Sequence, residues 1–216
     1  TITGVEAMRE LDREGESGDV IIRPSVRSVD KVIFTAKVAD QQPFVNVEVT
    51  EVREKEGGDV TGYAVGQERF QDLDEVLGRY VHAVVTNLEE AMRHKKFVRG
   101  DKVDLEATLR KDQADNPALR PYRVAASWEE SCRLVLAYIP GSRTIVKELI
   151  TVLPNGYRLR SVLHPNLDRL FDWFKRNMAS GGPLAAPAAT RTPLANYSRS
   201  VRSTPMIDVP APPVMP

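Results

Sequence analysis

The chain has 216 residues, 42% hydrophobic and 28% charged, which suits one larger or two small globular domains and excludes a fibre or a wholly disordered chain. Thirty basic and thirty acidic residues cancel, so no net charge draws the chain to nucleic acid. The single Cys132 excludes an internal disulfide and a zinc site built on cysteine pairs, and favours a reducing compartment. No apolar run approaches the roughly 18 residues of a membrane span. The opening TITGVEAMRE lacks the basic-then-apolar plan of a signal peptide, so a soluble, intracellular chain is expected. Its abrupt start without methionine reads as a piece of something longer.

In chain order, Val5, Met8 and Leu11 mark the inner face of a helix from about Gly4 to Arg13. Three β-like runs follow, VIIR, KVIFTAKV and FVNVEV, and REKEGGDVTG reads as a hairpin turn around Gly57-Gly58. Asp72 with Glu75 three residues on predicts the start of a helix that turns Val76, Leu77, Tyr80, Val81, Val84, Leu88 and Met92 inward and runs to about Lys96. Asp101 predicts the cap of a further helix over 101–112, closed before Asn116-Pro117. YRVAAS, CRLVLAYI and TIVKELITVL then read as strands, and LDRLFDWFK as a last helix. Beyond Ser180 the chain holds eight of its fifteen prolines and reads as a disordered tail, with Thr192-Pro193 and Thr204-Pro205 as candidate proline-directed phosphorylation steps.

These elements repeat. Gly62-Tyr63 is followed eleven positions later by Leu73-Asp74, and Gly156-Tyr157 eleven later by Leu167-Asp168, an offset of 94 throughout. Val76/Leu170, Leu77/Phe171 and Tyr80/Phe174 continue the match apolar to apolar. Strands followed by a helix, twice, give an α+β fold of two similar units.

In Gly18–Ser25, strand alternation puts Ile21, Arg23 and Ser25 on one face and Val20 and Ile22 on the other, which predicts a central strand. A charge withdrawn from water there must be paired. One reading pairs Arg23 with an internal carboxylate such as Asp19 or Glu48, or lets it snorkel its head to the strand edge; the other gives its planar fork to phosphate oxygens, with the Ser25 hydroxyl donating to a third. The remaining reactive types carry little. His82, His94 and His164 are too scattered for a metal site, and Cys132 in an apolar run reads as an inert thiol. Trp128 and Trp173 read as packing residues. No nucleophile, base and orienter set and no cofactor fingerprint occurs, so an enzyme is not expected.

GDVIIRPS closely resembles the phosphate-binding strand of a Src-homology-2 domain, the phosphopeptide-reading module. With KVIFTAKVAD, FQDLDEVLGRYV, PNGYRLR and LFDWFKRN it is similar to the C-terminal tandem Src-homology-2 module of the suppressor-of-Ty six family, transcription elongation factors and histone chaperones, over about residues 4 to 178. The resemblance implies two Src-homology-2-like units, each a central antiparallel sheet flanked by helices, joined by a helical connector. The divisions expected are 1–98, a helical linker 99–118, a degenerate second unit 119–179 and the tail 180–216. It further implies a nuclear, monomeric, non-catalytic reader without cofactors or a membrane partner, which meets nucleic acid only through its parent. The implied partner is the phosphorylated linker of the largest RNA polymerase II subunit. Arg23 falls at the phosphate-clasping arginine and Ser25 at the adjacent hydroxyl. Asn46 replaces a usual histidine, Ala36 a tryptophan and Val26 a second loop serine. In the second unit the arginine position falls at Ala125, so that pocket should be dead, with Arg123 two residues earlier either rescuing it or solvated at the strand edge. A second phosphate is implied at Lys96, closing the connector helix, and Lys175, in the last helix. The rival reading is a nucleic-acid surface around Lys95-Lys96 and Lys175-Arg176.

Overall fold

Thr3 opens the first helix by a reciprocal cap: its hydroxyl accepts from the Glu6 N–H at 3.3 Å while the Glu6 carboxylate accepts from the Thr3 N–H at 2.7 Å. The helix, α1 (Gly4–Glu14), leads into five strands, β1 (Val20–Pro24), β2 (Lys31–Ala36), β3 (Val45–Arg53), β4 (Val60–Val65) and β5 (Glu68–Phe70). They pair antiparallel in sequence order. Asp72 caps the following helix by accepting from the Glu75 N–H at 2.7 Å. That helix comprises α2 (Leu73–Glu75), a π-helical stretch Val76–Val81 and α3 (His82–Arg93). After α4 (Lys102–Asp115) comes a second antiparallel meander, β6 (Tyr122–Ala126), β7 (Arg133–Tyr138), β8 (Val146–Leu153), β9 (Gly156–Leu159) and β10 (Val162–His164), and then α5 (Leu167–Ala179). The computed structural model describes residues 2–40, 42–55, 57–141 and 144–179. The expected tail with its Thr-Pro steps lies outside the described residues.

Period-two alternation sorts each sheet into two faces. In the first sheet Phe34, Val45, Val47 and Val49 are buried with Val76, Val81 and Val84 of the long helix. On the opposite face α1 lays Ala7 and Leu11 over β1 and β2, next to the buried Thr35. The second sheet repeats the plan: Leu134, Leu136 and Ile150 meet Leu170 and Phe174 of α5, and α4 covers the other face with Leu105 and Leu109.

The duplication extends to individual hydrogen bonds. The Ser25 N–H donates to the Lys31 carbonyl at 2.8 Å, and the Ser127 N–H to the Arg133 carbonyl at 3.0 Å. Lys37 N–H to Asp19 carbonyl at 3.0 Å is matched by Ile139 N–H to Pro121 carbonyl at 3.1 Å. The β1–β2 and β6–β7 hairpins therefore correspond at an offset of 102. The offset of 94 read from the sequence applies only later, after one residue is lost between β2 and β3 and seven more where residues 53–61, between Val52 and Gly62, become Pro154 and Asn155, between Leu153 and Gly156.

Four expectations change. The strand bearing Arg23 is an edge strand, paired only with β2; its apolar residues face a helix on one side and the core on the other, which imitates a central position. The long helix stops at Arg93, so Lys96 lies beyond it, its carbonyl accepting from the Val124 N–H at 3.0 Å. The 101–112 stretch is less a linker than the counterpart of α1, packed on β6 and β7. Cys132 sits in the turn before β7 with φ 57°, and burial pushes its thiol up to about 12.

Both sheets share one continuous core that includes Val84 and Leu88 of α3. The Asn87 side chain donates to the Leu153 carbonyl at 2.6 Å, and the Tyr157 hydroxyl donates to the Asn87 carbonyl at 2.6 Å. Arg123 fastens α4 to β6 through two bonds to Asp112, at 2.6 and 2.9 Å, and also reaches the Lys95 carbonyl at 3.1 Å. It is neither solvated nor turned to a pocket beside Ala125. Direct hydrogen bonding from Arg123 holds the Asp112 carboxyl below its ordinary value, so this stabilisation is complete above the usual aspartate range and lost as pH falls through the depressed folded value. Asp112→Asn should cost roughly 1–2 kcal/mol at neutral pH. Urea denaturation at pH 7 and in acid tests this: the gap between variant and parent should narrow with acid, and a gap independent of pH contradicts the account.

Candidate functional site

Arg23 projects from β1 toward the start of α1. A Cβ built on Gly4, the first residue of that helix, would stand 2.8 Å from an Arg23 Nη and 3.2 Å from its Cζ, so the guanidinium lies against bare backbone. Its Nε is buried and has no hydrogen-bond partner among the described residues. Neither proposed internal carboxylate holds it. Asp19 accepts from the Glu16 N–H at 2.8 Å, and Glu48 pairs with Lys31 at 2.5 Å. The capping box consumes the Thr3 and Glu6 N–H groups, while those of Gly4 and Val5, in the first turn, have no partner within the helix. A fixed guanidinium and a helix N-terminus thus converge, both favouring an anion.

Ser25 borders this point where β1 turns into the 25–30 loop. Its Oγ accepts from the Arg27 N–H at 3.2 Å, which leaves the hydroxyl proton able to donate. In the next strand Lys31, whose carbonyl binds the Ser25 N–H, adds a second cation on this sheet face. Its ammonium is held above its ordinary value, first by the hydrogen bond to Glu48. The register runs Arg23–Ile33–Glu48 across the strands, whereas Asn46 lies in the next row with Thr35 and Ile21. Asn46 is on the Arg23 face but not beside the guanidinium: its Oδ1 accepts from the Thr35 hydroxyl at 2.8 Å, and its backbone N–H reaches Ser131 Oγ at 3.3 Å. Sequence reasoning missed Gly4 and Lys31. The glycine that opens the helix and the cation that ends the loop were the available signals.

Lys96 and Lys175 converge on a different point, around Tyr122 at the start of β6. The Lys96 ammonium sits 4.8 Å from the centre of the Tyr122 ring, a cation–π distance, and Lys175 interacts with the Tyr122 hydroxyl while pairing with Asp172 at 3.1 Å. Beneath them Tyr122 packs on Phe171 and Phe174 at 5.1 and 5.8 Å. Burial, then the positive charge of Arg123, lowers the Lys96 ammonium, whereas the bond to Asp172 raises that of Lys175. His94 orders the approach. Its Nδ1 accepts from the Lys96 N–H at 3.1 Å, which directs the other ring nitrogen to Asp168 at 3.3 Å.

The Gly4 contact yields a test with opposite signs. Gly4→Ala stabilises by about 0.4–1 kcal/mol through the lower entropy of the unfolded chain, yet its methyl must push the guanidinium aside. The variant should melt no lower than the parent and bind phenyl phosphate more weakly, as read by thermal denaturation and by the Arg23 Nε–H resonance. Unchanged phosphate binding would dissociate Gly4 from the site.

Residues 1–177 match the family model described as an SH2 domain. A transcription elongation factor SPT6-like protein of Arabidopsis thaliana is 33% identical over 168 residues, 74% of this chain and 12% of that protein. Transcription elongation factor SPT6 of Drosophila melanogaster is 32% identical over 192 residues, 84% of this chain and 10% of that one. The chain therefore spans about a tenth of the length of these relatives. Among solved structures, a tandem SH2 domain of transcription elongation factor Spt6 that binds the phosphorylated RNA polymerase II C-terminal repeat domain aligns with a TM-score of 0.72 at 23% identity, covering 81% of this chain and 90% of that one. The tandem SH2 domains of the Antonospora locustae factor align at 0.66 and 22%, covering 82% and 90%. The duplicated sheets, the helix-capped arginine and the family match agree, and the chain belongs to the SH2 domain family.

Proposed function

We propose that this chain is a non-catalytic phosphopeptide reader that attaches a nuclear transcription elongation factor to phosphorylated RNA polymerase II. The observation that carries the reading is Arg23, whose buried Nε lacks an internal acceptor beside the N-terminus of α1. A phosphorylated side chain brings about −1.5 to −2 charges and three acceptor oxygens, which match the guanidinium fork, the Ser25 hydroxyl and the free N–H groups of the first helical turn. Asn46 lines the same face one row away and is placed for the ligand residue next to the phosphate. In this reading the first unit, 1–98, takes phosphothreonine with a nearby tyrosine, and the second, 119–179, takes phosphoserine at Lys96 and Lys175. The ligand is the phosphorylated linker of the largest polymerase subunit, a disordered segment able to reach both.

The second site suits a shared, shallow grip. Two ammonium groups at one tyrosine, Lys96 over the ring and Lys175 at the hydroxyl, repel each other, and an arriving phosphate would offset that repulsion. The Lys96 ammonium, depressed in the free protein, should therefore titrate higher once a phosphoserine peptide is bound; lysine side-chain NMR across alkaline pH reads this, and an unmoved Lys96 removes it from the site. The nucleic-acid alternative around Lys95-Lys96 and Lys175-Arg176 is the weaker reading, because Lys96 lies over the Tyr122 ring, Lys175 is paired with Asp172 and Arg176 bonds the Asp172 carbonyl.

Fluorescence titration of a doubly phosphorylated linker peptide tests the whole reading. Arg23→Ala should weaken binding by at least about tenfold, the scale of losing a charge-assisted pair. Lys175→Ala should weaken the phosphoserine contact and leave a singly phosphothreonylated peptide unaffected. Superimposable curves for Arg23→Ala and the parent would overturn the assignment.

A further inference from the structure

The Arg23 row has a counterpart in the second unit. Through the matched hairpins, Arg23–Ile33–Glu48 corresponds to Ala125–Val135–Leu149, three residues directly opposite one another across β6, β7 and β8. Every charged member of the first row has become apolar. The change has not closed the pocket: a cavity of about 300 Å³ lies between this row and the start of α4. Its floor is Ala125, 2% exposed, with Leu105 and Val135; Leu149, 38% exposed, forms one wall. Trp128 stands at the rim, 54% exposed, its indole N–H donated to the Gly100 carbonyl at 3.1 Å just ahead of the α4 cap. The sequence reading of Trp128 as a packed residue is corrected accordingly.

We propose that this cavity is a second reading pocket, converted from anions to an uncharged, large apolar side chain carried by an extended peptide with a basic residue beside it. The assignment rests on the hairpin register and the cavity, not on phosphate binding in the first unit. The volume and the apolar lining with few polar groups fit a side-chain pocket. The charged groups at its edge exclude phosphate. Lys147 is engaged by Glu106, Glu148 by Arg160 and Glu130 by Arg133, so none offers the floor a cation. Around the mouth Asp101, Glu129 and Glu130 outnumber Lys102, which favours lysine or arginine next to the inserted residue and opposes a dianion. The matching of Ser127 to Ser25 and of Lys102 to Gly4 at the helix start gives the entering side chain the same approach, between a helix N-terminus and a sheet, that the first unit offers.

The test uses the full chain, isotope-labelled, titrated with the peptide acetyl-Gly-Arg-Phe-Arg-Gly-amide and with versions carrying alanine or phosphotyrosine in place of phenylalanine. The phenylalanine peptide should shift the Ala125 and Leu149 methyl signals and the Trp128 indole N–H, and the alanine version should bind about tenfold more weakly. Leu149→Lys and, separately, Trp128→Ala should remove the response while a phosphothreonine peptide still perturbs the Arg23 region, which shows that the fold survives. Equal responses to phenylalanine and alanine, a phosphotyrosine peptide bound as tightly, or no response up to about 5 mM, weaker than a single apolar anchor allows, would each overturn the proposal. So would loss of the phosphothreonine response in the Trp128→Ala variant together with a retained phenylalanine response.

Discussion

A guanidinium with a buried, unpartnered nitrogen costs the fold free energy, on the order of 1–3 kcal/mol for the unmet donor. Arg23 is held in that condition by several separate features. Gly4 lets the first turn of α1 close on the guanidinium, and Glu6 folds back on its own N-cap instead of reaching it. Glu48, in the same cross-strand row, is diverted to Lys31, and Asp19 to a backbone N–H. Glu6, Glu48 and Asp19 are thus each engaged elsewhere. A visiting dianion would therefore meet an Nε–H already withdrawn from water, which is where preorganised recognition gains its affinity.

Duplication shows how narrow the specification of such a site is. The two units keep the same hairpin hydrogen bonds and the same placement of a capped helix over β1–β2 and β6–β7, yet the cross-strand row Arg23–Ile33–Glu48 of one is the apolar row Ala125–Val135–Leu149 of the other. Neighbouring positions follow the same change: buried Lys37, bonded to the Gly15 carbonyl at 3.0 Å and paired with Asp40 at 2.8 Å, corresponds to buried Ile139 in the second unit. With no arginine at Ala125, phosphate recognition in that unit has to come from elsewhere. In the proposed reading Lys96 and Lys175 would supply it on the α5 side of β6, as point charges at the ring and hydroxyl of Tyr122 rather than as a fork in a cleft.

How much of this was legible followed from how local the cause was. Asp72 and Asp101 announced helix starts because a cap is a contact over two or three residues, and the apolar runs of β1 to β3 and β6 to β8 announced strands. The strands β5, β9 and β10, three or four residues each, are too brief to separate from turns, and β4 is interrupted by Gly62 beside the Gly57-Gly58 turn. The edge position of β1 was hidden because a covering helix makes an edge strand as apolar as a central one. Arg23 could be read from its chemistry alone, but its freedom could not: that depended on Lys31 choosing Glu48 and on Gly4 meeting a residue 19 positions away. Lys96, Tyr122 and Lys175 come together only through the tertiary fold, and only family resemblance joined the two lysines beforehand. Arg123 was given the wrong choices, because its partner Asp112 sits on a helix whose packing on β6 no local pattern revealed.

The shared core sets how the sites act together. Val84 and Leu88 belong to the hydrophobic cluster that also contains Val47 of one sheet and Ile150 of the other, and Asn87 bonds directly to the β8–β9 corner. Moving one unit against the other would open that cluster and leave the Asn87 and Tyr157 groups unsatisfied, so the Arg23 and Lys96–Lys175 sites are carried on one body. A flexible ligand that used both would meet the second at an effective concentration set by its own intervening length. Under the proposed two-site reading, spacing between phosphates becomes a further determinant of recognition: a segment too short to span gains nothing from its second charge, and one far too long loses the gain gradually as loop entropy rises.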